Sequence, residues 1–171
     1  MASRFSTIVV TCILAGALSS SGTLSAKPKK STPEERAKAV QLGRELEAQP
    51  ASEDAVEKRR WLIDFYQRVP DITITVCDLL GPFPKGEHPY FSYVLAQSMF
   101  SSGAFMIEHP DQASDQVAVQ TAGVEGALKV YEIFAKAMPE DRLPFLDSLP
   151  AKRSDGSLKA YMQDAVSKGC K

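Results

Sequence analysis

The sequence is short of the residues and motifs that most enzymes use for chemistry. Its 171 residues include two histidines, His88 and His109, and each stands directly before a proline. There is no His-Glu-x-x-His pair, no Gly-x-Ser-x-Gly elbow and no glycine-rich phosphate loop. We therefore predict no catalytic residue, no metal ion and no cofactor. An enzyme stays open only if a site, such as a pair of carboxylates, assembles in the fold.

Each histidine also follows a glutamate, Glu87 or Glu108, which makes two short clusters of polar groups. Adjacent residues point in different directions, so neither cluster has the spacing of a zinc or calcium site. Polar residues of this kind commonly satisfy the backbone groups of helix ends. We interpret both clusters as helix caps.

An excess of charge of either sign is also missing. Lys and Arg number 20 and Asp and Glu number 21, which leaves a net charge of −1 at pH 7. Such a balance gives no electrostatic attraction for nucleic acid. The lysines at positions 27, 29 and 30 are a local exception, and we interpret residues 27–31 as a flexible basic tail.

The N-terminus has the order of a secretory signal peptide. Arg4 precedes an uncharged apolar segment, residues 5–18, and small residues follow up to Ala26. This segment is shorter than the roughly 20 residues that a transmembrane helix needs. We predict that residues 1–26 are cleaved after Ala26 and that the protein is exported, either to a periplasm or outside the cell.

Cysteine is scarce, with three residues in the chain. Cys12 lies within the predicted signal peptide, so export would leave Cys77 and Cys170 as a pair. Neither has a Cys or His neighbour at metal-ligand spacing, and there is no Cys-x-x-Cys motif. In an exported protein this pattern predicts a Cys77–Cys170 disulfide bond.

The rest of the chain, residues 32–171, reads as a single all-α domain of five to six helices. A capping box at Thr32 and Glu35 begins the first helix, and Ser52 and Ser157 are predicted caps of later helices. Gly169 is predicted to follow the last helix as a C-terminal cap. Residues 71–80 alternate like a strand, but no other segment offers a partner, so we predict a short helix there.

Two helices dominate the predicted bundle. A central buried helix covers about residues 89–109, where Gln97, four serines and the absence of basic flanks argue against a membrane span. A long helix covers about residues 112–138 and carries two apolar stripes. Its Gly123 and Gly126 predict close packing against the small residues around Gly103.

These features favour an interaction module that holds a protein or peptide in a helical groove. The alternative is a carrier of a small apolar ligand between the two most apolar helices. The basic and aromatic side chains outside the predicted core indicate a candidate binding surface, formed by Arg60, Trp61, Phe83, Tyr90 and Phe91.

Overall fold

The computed structural model describes residues 29–82 and 84–170. Within them the chain forms helices and no β-strand, which confirms the predicted all-α class. The predicted signal peptide with Cys12 and Ala26, and also Phe83, lie outside the described residues. The helices are α1 (Pro33–Ala48), α2 (Ala55–Arg68), α3 (Phe91–Glu108), α4 (Gln116–Ala137), α5 (Pro144–Asp147), α6 (Leu149–Ser154) and α7 (Leu158–Gly169).

The first helix begins as its sequence predicts. The side chain of Thr32 accepts a hydrogen bond from the backbone N–H of Glu35, and the Glu35 carboxylate accepts one from the backbone N–H of Thr32. Pro33 occupies the first turn, where its missing N–H leaves no donor unpaired. Just before the helix, Ser31 donates two hydrogen bonds to the Asp71 carboxylate, which ties the start of α1 to the end of α2.

The two central helices, α3 and α4, pack at very short distance. A Cβ atom at Gly126 would overlap the hydroxyl of Ser101, and one at Gly123 would overlap that of Ser102 and lie 2.8 Å from the Ser98 carbonyl oxygen. The predicted role of the two glycines is thereby confirmed, with the serines as their neighbours. Gly103 makes a different contact, because a Cβ there would overlap the ring of Tyr66.

The apolar core has two parts, one on each side of α3. One part is built around α4 with α5, α6 and α7, and its largest fully buried side chains include Tyr90 and Tyr131. The other joins α1 and α2 to Phe100 of α3. Since α3 contributes to both, its apolar residues are divided between two sides, as predicted for the central helix.

The predicted disulfide bond between Cys77 and Cys170 is present. It attaches the end of α7 to the segment that precedes α3. Gly169 lies at this junction, where a Cβ would come within 3.0 Å of the Asp78 carbonyl oxygen. Gly169 is the last residue of α7 and does not have a positive φ. The prediction of a C-terminal cap was therefore wrong, and the glycine allows the close approach of the loop.

Residues 71–80 form an irregular segment rather than a helix, so the prediction of a short helix was wrong. A non-helical segment needs partners for its backbone groups. Two of these groups, at Thr75 and Asp78, find partners in distant helices. Gln120 donates its side-chain amide to the Thr75 carbonyl oxygen at 2.8 Å, and the Asp78 N–H donates to the Gly169 carbonyl oxygen at 3.4 Å.

Two predicted caps differ in detail. Ser52 begins a turn that leads into α2 and donates its hydroxyl to Asp54, so its side chain does not cap the helix. Ser157 precedes α7 without a side-chain capping bond, and its own N–H donates to the Asp155 carboxylate.

Among the described residues, no helix has the length and apolar character needed to cross a bilayer.

Candidate binding surface

The four described residues of the predicted binding surface do not form one exposed surface. Tyr90 is fully buried and donates its hydroxyl to the Asp141 carbonyl oxygen at 2.5 Å, so its ring belongs to the core. Phe91 is also buried, at the start of α3. Trp61 is half-buried, stacks on Phe65 at 5.3 Å between ring centroids, and faces α1 through Lys38. Arg60 is exposed on the outer side of α2.

An exposed apolar patch lies around Arg60 instead. Val56, Ile63 and Tyr93 are 58%, 43% and 38% exposed, and they are three of the five large apolar side chains that the described residues expose. With Arg59 and Arg60 they line one shallow hollow of about 370 Å³. We call these five residues the α2 patch. Exposed apolar side chains are ordinary when scattered singly, but a cluster of them marks a contact site.

The geometry of α2 explains how the patch arises. Its core side carries Ala55, Leu62 and Phe65, which pack towards α1 and α3. Val56 and Ile63 stand seven residues apart, two turns of helix, and so share a second face, about 100° around the helix from the core side. Their spacing was visible in the sequence. However, the longer apolar stripe that includes Leu62 is sufficient to predict a helix with one buried face, so Val56 and Ile63 gave no separate signal.

The arginines of the patch differ from the other arginines. The described residues hold seven, and five of them pair with carboxylates: Arg36, Arg44, Arg68, Arg142 and Arg153. The two without a carboxylate partner are the neighbours Arg59 and Arg60.

Arg59 is nevertheless held in place by neutral groups. Its guanidinium lies 4.2 Å from the centre of the Tyr93 ring and donates to the Pro50 carbonyl oxygen. Burial lowers the pKa of Arg59 from its ordinary value, although an arginine keeps its charge at neutral pH. A fixed cation is therefore presented beside exposed apolar groups.

A narrow apolar slot adjoins the patch. It has a volume of about 310 Å³ and lies between α2, the extended residues 72–74 and α3. Ile63 lines both the slot and the patch, so the two surfaces are continuous. Its wall includes Tyr66, Met99 and Phe100, with Gln67 and Thr73 as polar groups. The volume is at the lower end of the range of small-molecule sites.

By contrast, the space between α3 and α4 is nearly filled where Gly123 meets Ser102. The cavity beside Ser102 and Val124 measures about 10 Å³, which is room for about one water molecule. A carrier for an apolar ligand would therefore have to use another cavity, such as the slot beside α2.

A buried carboxylate, Glu47, joins three helices, α1, α3 and α4. It is 5% exposed and accepts hydrogen bonds from Arg44, Ser101 and Lys129, each at 2.7 Å. Burial raises the pKa of Glu47, but the hydrogen bonds from Lys129 and Ser101 outweigh it and lower the pKa overall. Ser101 is 1% exposed, so its hydroxyl is bound within the core and cannot meet a substrate.

Of the two predicted capping clusters, His88 acts at a helix end as predicted, whereas the side chains of Glu108 and His109 make other contacts. Nδ1 of His88 accepts from the Phe91 N–H at 3.2 Å at the start of α3, and its Nε2 lies 3.0 Å from the Asp141 carbonyl oxygen. Glu108 pairs with Arg44 at 2.6 Å, and the His109 ring lies against Phe105. Within the described residues no three His, Cys, Asp or Glu side chains are grouped so that they could hold a metal ion.

The described residues form an all-α bundle closed by the Cys77–Cys170 disulfide bond. Comparison with protein-family models, with curated proteins and with solved structures finds no match.

Proposed function

We propose that the protein is an interaction module that docks a protein or peptide on the α2 patch. The observation that carries this proposal is the clustering of exposed Val56, Ile63 and Tyr93 around two arginines without carboxylate partners. Tyrosine and arginine are the residue types most often found at the energetic centre of protein interfaces. The rigid bundle behind α2 supports the surface at little entropic cost.

Position-specific crosslinking tests the proposal. A photo-crosslinking residue is placed at Gln67, next to the patch, or at Gln163 on α7 as the control, in the full chain expressed in its native host. We expect a discrete adduct from position 67 that disappears in an Ile63→Glu variant. Ile63 is exposed, so this variant should fold normally, which thermal unfolding verifies. Equal adducts from both positions, or none from position 67, would contradict the proposal.

A second candidate function is supported by the slot. We propose as the alternative that it holds a small apolar ligand, since its wall is mostly apolar and two polar groups, Gln67 and Thr73, stand at its edge. Native mass spectrometry of protein from its own host should then show added mass. Ile74→Trp, which fills the slot, should remove that mass, whereas Val76→Trp on the exposed side of the same segment should not. Protein without added mass would exclude this function.

We further propose that the protein is exported and loses residues 1–26. The disulfide bond supports export, because such bonds form and persist in oxidising compartments. N-terminal sequencing of the protein from its host should begin at Lys27. A chain that keeps Met1 and stays with the cytoplasmic fraction would refute this.

A further inference from the structure

The exposed stripe of α2 has the pattern of a helix-pairing seam. Val56, Arg60, Ile63 and Gln67 are all exposed and follow one another at spacings of four, three and four residues. This is the repeat with which one helix packs its side chains between those of another. No described residue covers the stripe, so α2 has one apolar face in the core and a second one without a partner.

The charges beside the stripe indicate the chemistry of the missing helix. Arg59 and Arg60 are the two arginines of the described residues that no carboxylate neutralises. A guanidinium offers a planar pair of donors that matches a carboxylate. Arg59 is already oriented by the Tyr93 ring, so less entropy is lost when it binds.

A second copy of the chain fits the stripe poorly. In a parallel pair of α2 helices, Arg60 would face Arg60 of the second copy. In an antiparallel pair centred on the stripe, Glu57 would lie near Asp64 of the second copy, because both stand on the same flank of α2. Both arrangements bring like charges together, which is destabilising.

An anionic bilayer surface also fits poorly. Glu57 and Asp64 are exposed along the flank of the stripe opposite to Arg59. They would be pressed against lipid phosphates if α2 lay on a membrane. A helical partner avoids this repulsion, because all its carboxylates can lie on the side that faces Arg59, away from Glu57 and Asp64.

We propose that α2 binds an amphipathic, acidic helix of a protein partner. Its apolar side chains would lie over Val56 and Ile63, and its carboxylates would face Arg59 and Arg60. This inference rests on the proposed interaction function and specifies the partner for the same patch.

A displayed library of helical peptides tests it. Seam positions vary among apolar residues, and flanking positions vary among Glu, Lys, Gln and Ser at equal frequency. The library is selected on the disulfide-bonded protein, and binders are assigned to the patch if Ile63→Glu abolishes their binding. We expect Glu to be enriched over Lys on one flank. Binding should weaken about tenfold or more in an Arg59→Glu/Arg60→Glu variant, but not in the control variant Lys159→Glu.

The possible results distinguish failure of the acidic-helix proposal from failure of the proposed interaction function. Patch binders without carboxylate enrichment, or with Lys enrichment, would refute the acidic partner and leave the interaction module intact. If no binder maps to the patch, both are refuted. Sedimentation with anionic phospholipid vesicles that is lost in the double arginine variant would refute the helical partner. It would show instead that the patch binds a lipid surface. Dimerisation lost in Ile63→Glu would replace it by a second copy.

Discussion

Replacing Gly126 by alanine should destabilise the protein, although alanine is the better helix former. The new Cβ would overlap the Ser101 hydroxyl and lie 2.9 Å from a Glu47 carboxylate oxygen. Ser101 cannot simply move away, because it is 1% exposed and bonded to both Glu47 and Gln97. The substitution therefore forces α3 and α4 apart.

The sign of the effect follows from the magnitudes. Overpacking of a filled interface costs about 1–3 kcal/mol, and disturbing the two hydrogen bonds of Ser101 adds about 1 kcal/mol each. The gain in helix propensity from glycine to alanine is about 1 kcal/mol. We expect Gly126→Ala to lower the free energy of unfolding by about 2–4 kcal/mol.

Gly43 supplies the matched control within α1. A Cβ at this position would lie 3.8 Å from the Phe100 carbonyl oxygen, an ordinary contact. Gly43→Ala should therefore keep the helix-propensity gain and stabilise the protein by about 0.5–1 kcal/mol. Urea unfolding of the disulfide-bonded protein, followed by circular dichroism, measures both variants.

Opposite signs for the two substitutions are the decisive result. If Gly126→Ala stabilises the protein as Gly43→Ala does, α3 and α4 are not in close contact at Gly126 and Ser101. The exchange Ser101→Gly with Gly126→Ala should recover part of the loss, because it removes the overlapping side chain. A double-mutant cycle gives the coupling between the two positions.

Three further predictions concern the disulfide bond, an ion pair and a helix cap. Replacing both Cys77 and Cys170 by serine should lower the free energy of unfolding by about 4–5 kcal/mol in urea, because the bond closes a loop over a sequence separation of 93. Asp71→Asn should cost about 1–2 kcal/mol at neutral pH. The difference from wild type should shrink as pH falls below 3.8, since burial raises the Asp71 pKa but hydrogen bonds from Ser31 lower it more. His88→Ala should cost about 1–2 kcal/mol in thermal unfolding through its lost hydrogen bonds, whereas Glu87→Ala, the exposed neighbour, should cost little.

Each of these predictions has an outcome that would contradict it. If the double serine variant were as stable as the oxidised protein, the Cys77–Cys170 bond would not stabilise the fold. For Asp71, the depressed pKa means that the carboxylate stabilises the fold above the unfolded-state pKa and stops doing so in acid. A difference that grows on acidification would therefore contradict the ion pair that Asp71 forms with Arg36. Equal losses at positions 87 and 88 would show that His88 is not the cap of α3.

Local signals in the sequence predict most of the helices correctly. The capping box at Thr32, the prolines after α1 and α3 and the apolar periodicity of α4 each act within a few residues. They therefore set helix ends without any tertiary contact. The disulfide partners follow from elimination, since the other cysteine lies in the predicted signal peptide.

The binding surface is not predictable in this way. Arg60 was correctly placed at the surface, but Tyr90 and Phe91 are buried in the core and Trp61 faces α1. The sequence pattern of an aromatic residue beside charged residues does not show whether its ring is buried or exposed. Which face of α2 stays open depends on the other helices, and so does the pairing of every arginine.

The sequence by itself determined the approximate extent of the long helices and which two cysteines can join. Tertiary structure alone decided the state of residues 71–80, because backbone groups of Thr75 and Asp78 are bonded by Gln120 and Gly169, far away in the chain. It also decided that Glu47 is buried, through Lys129 on another helix, and that Arg59 and Arg60 have no carboxylate partner among the described residues. Local preferences act over one turn of helix, whereas burial and charge pairing depend on residues that meet only when the chain has folded.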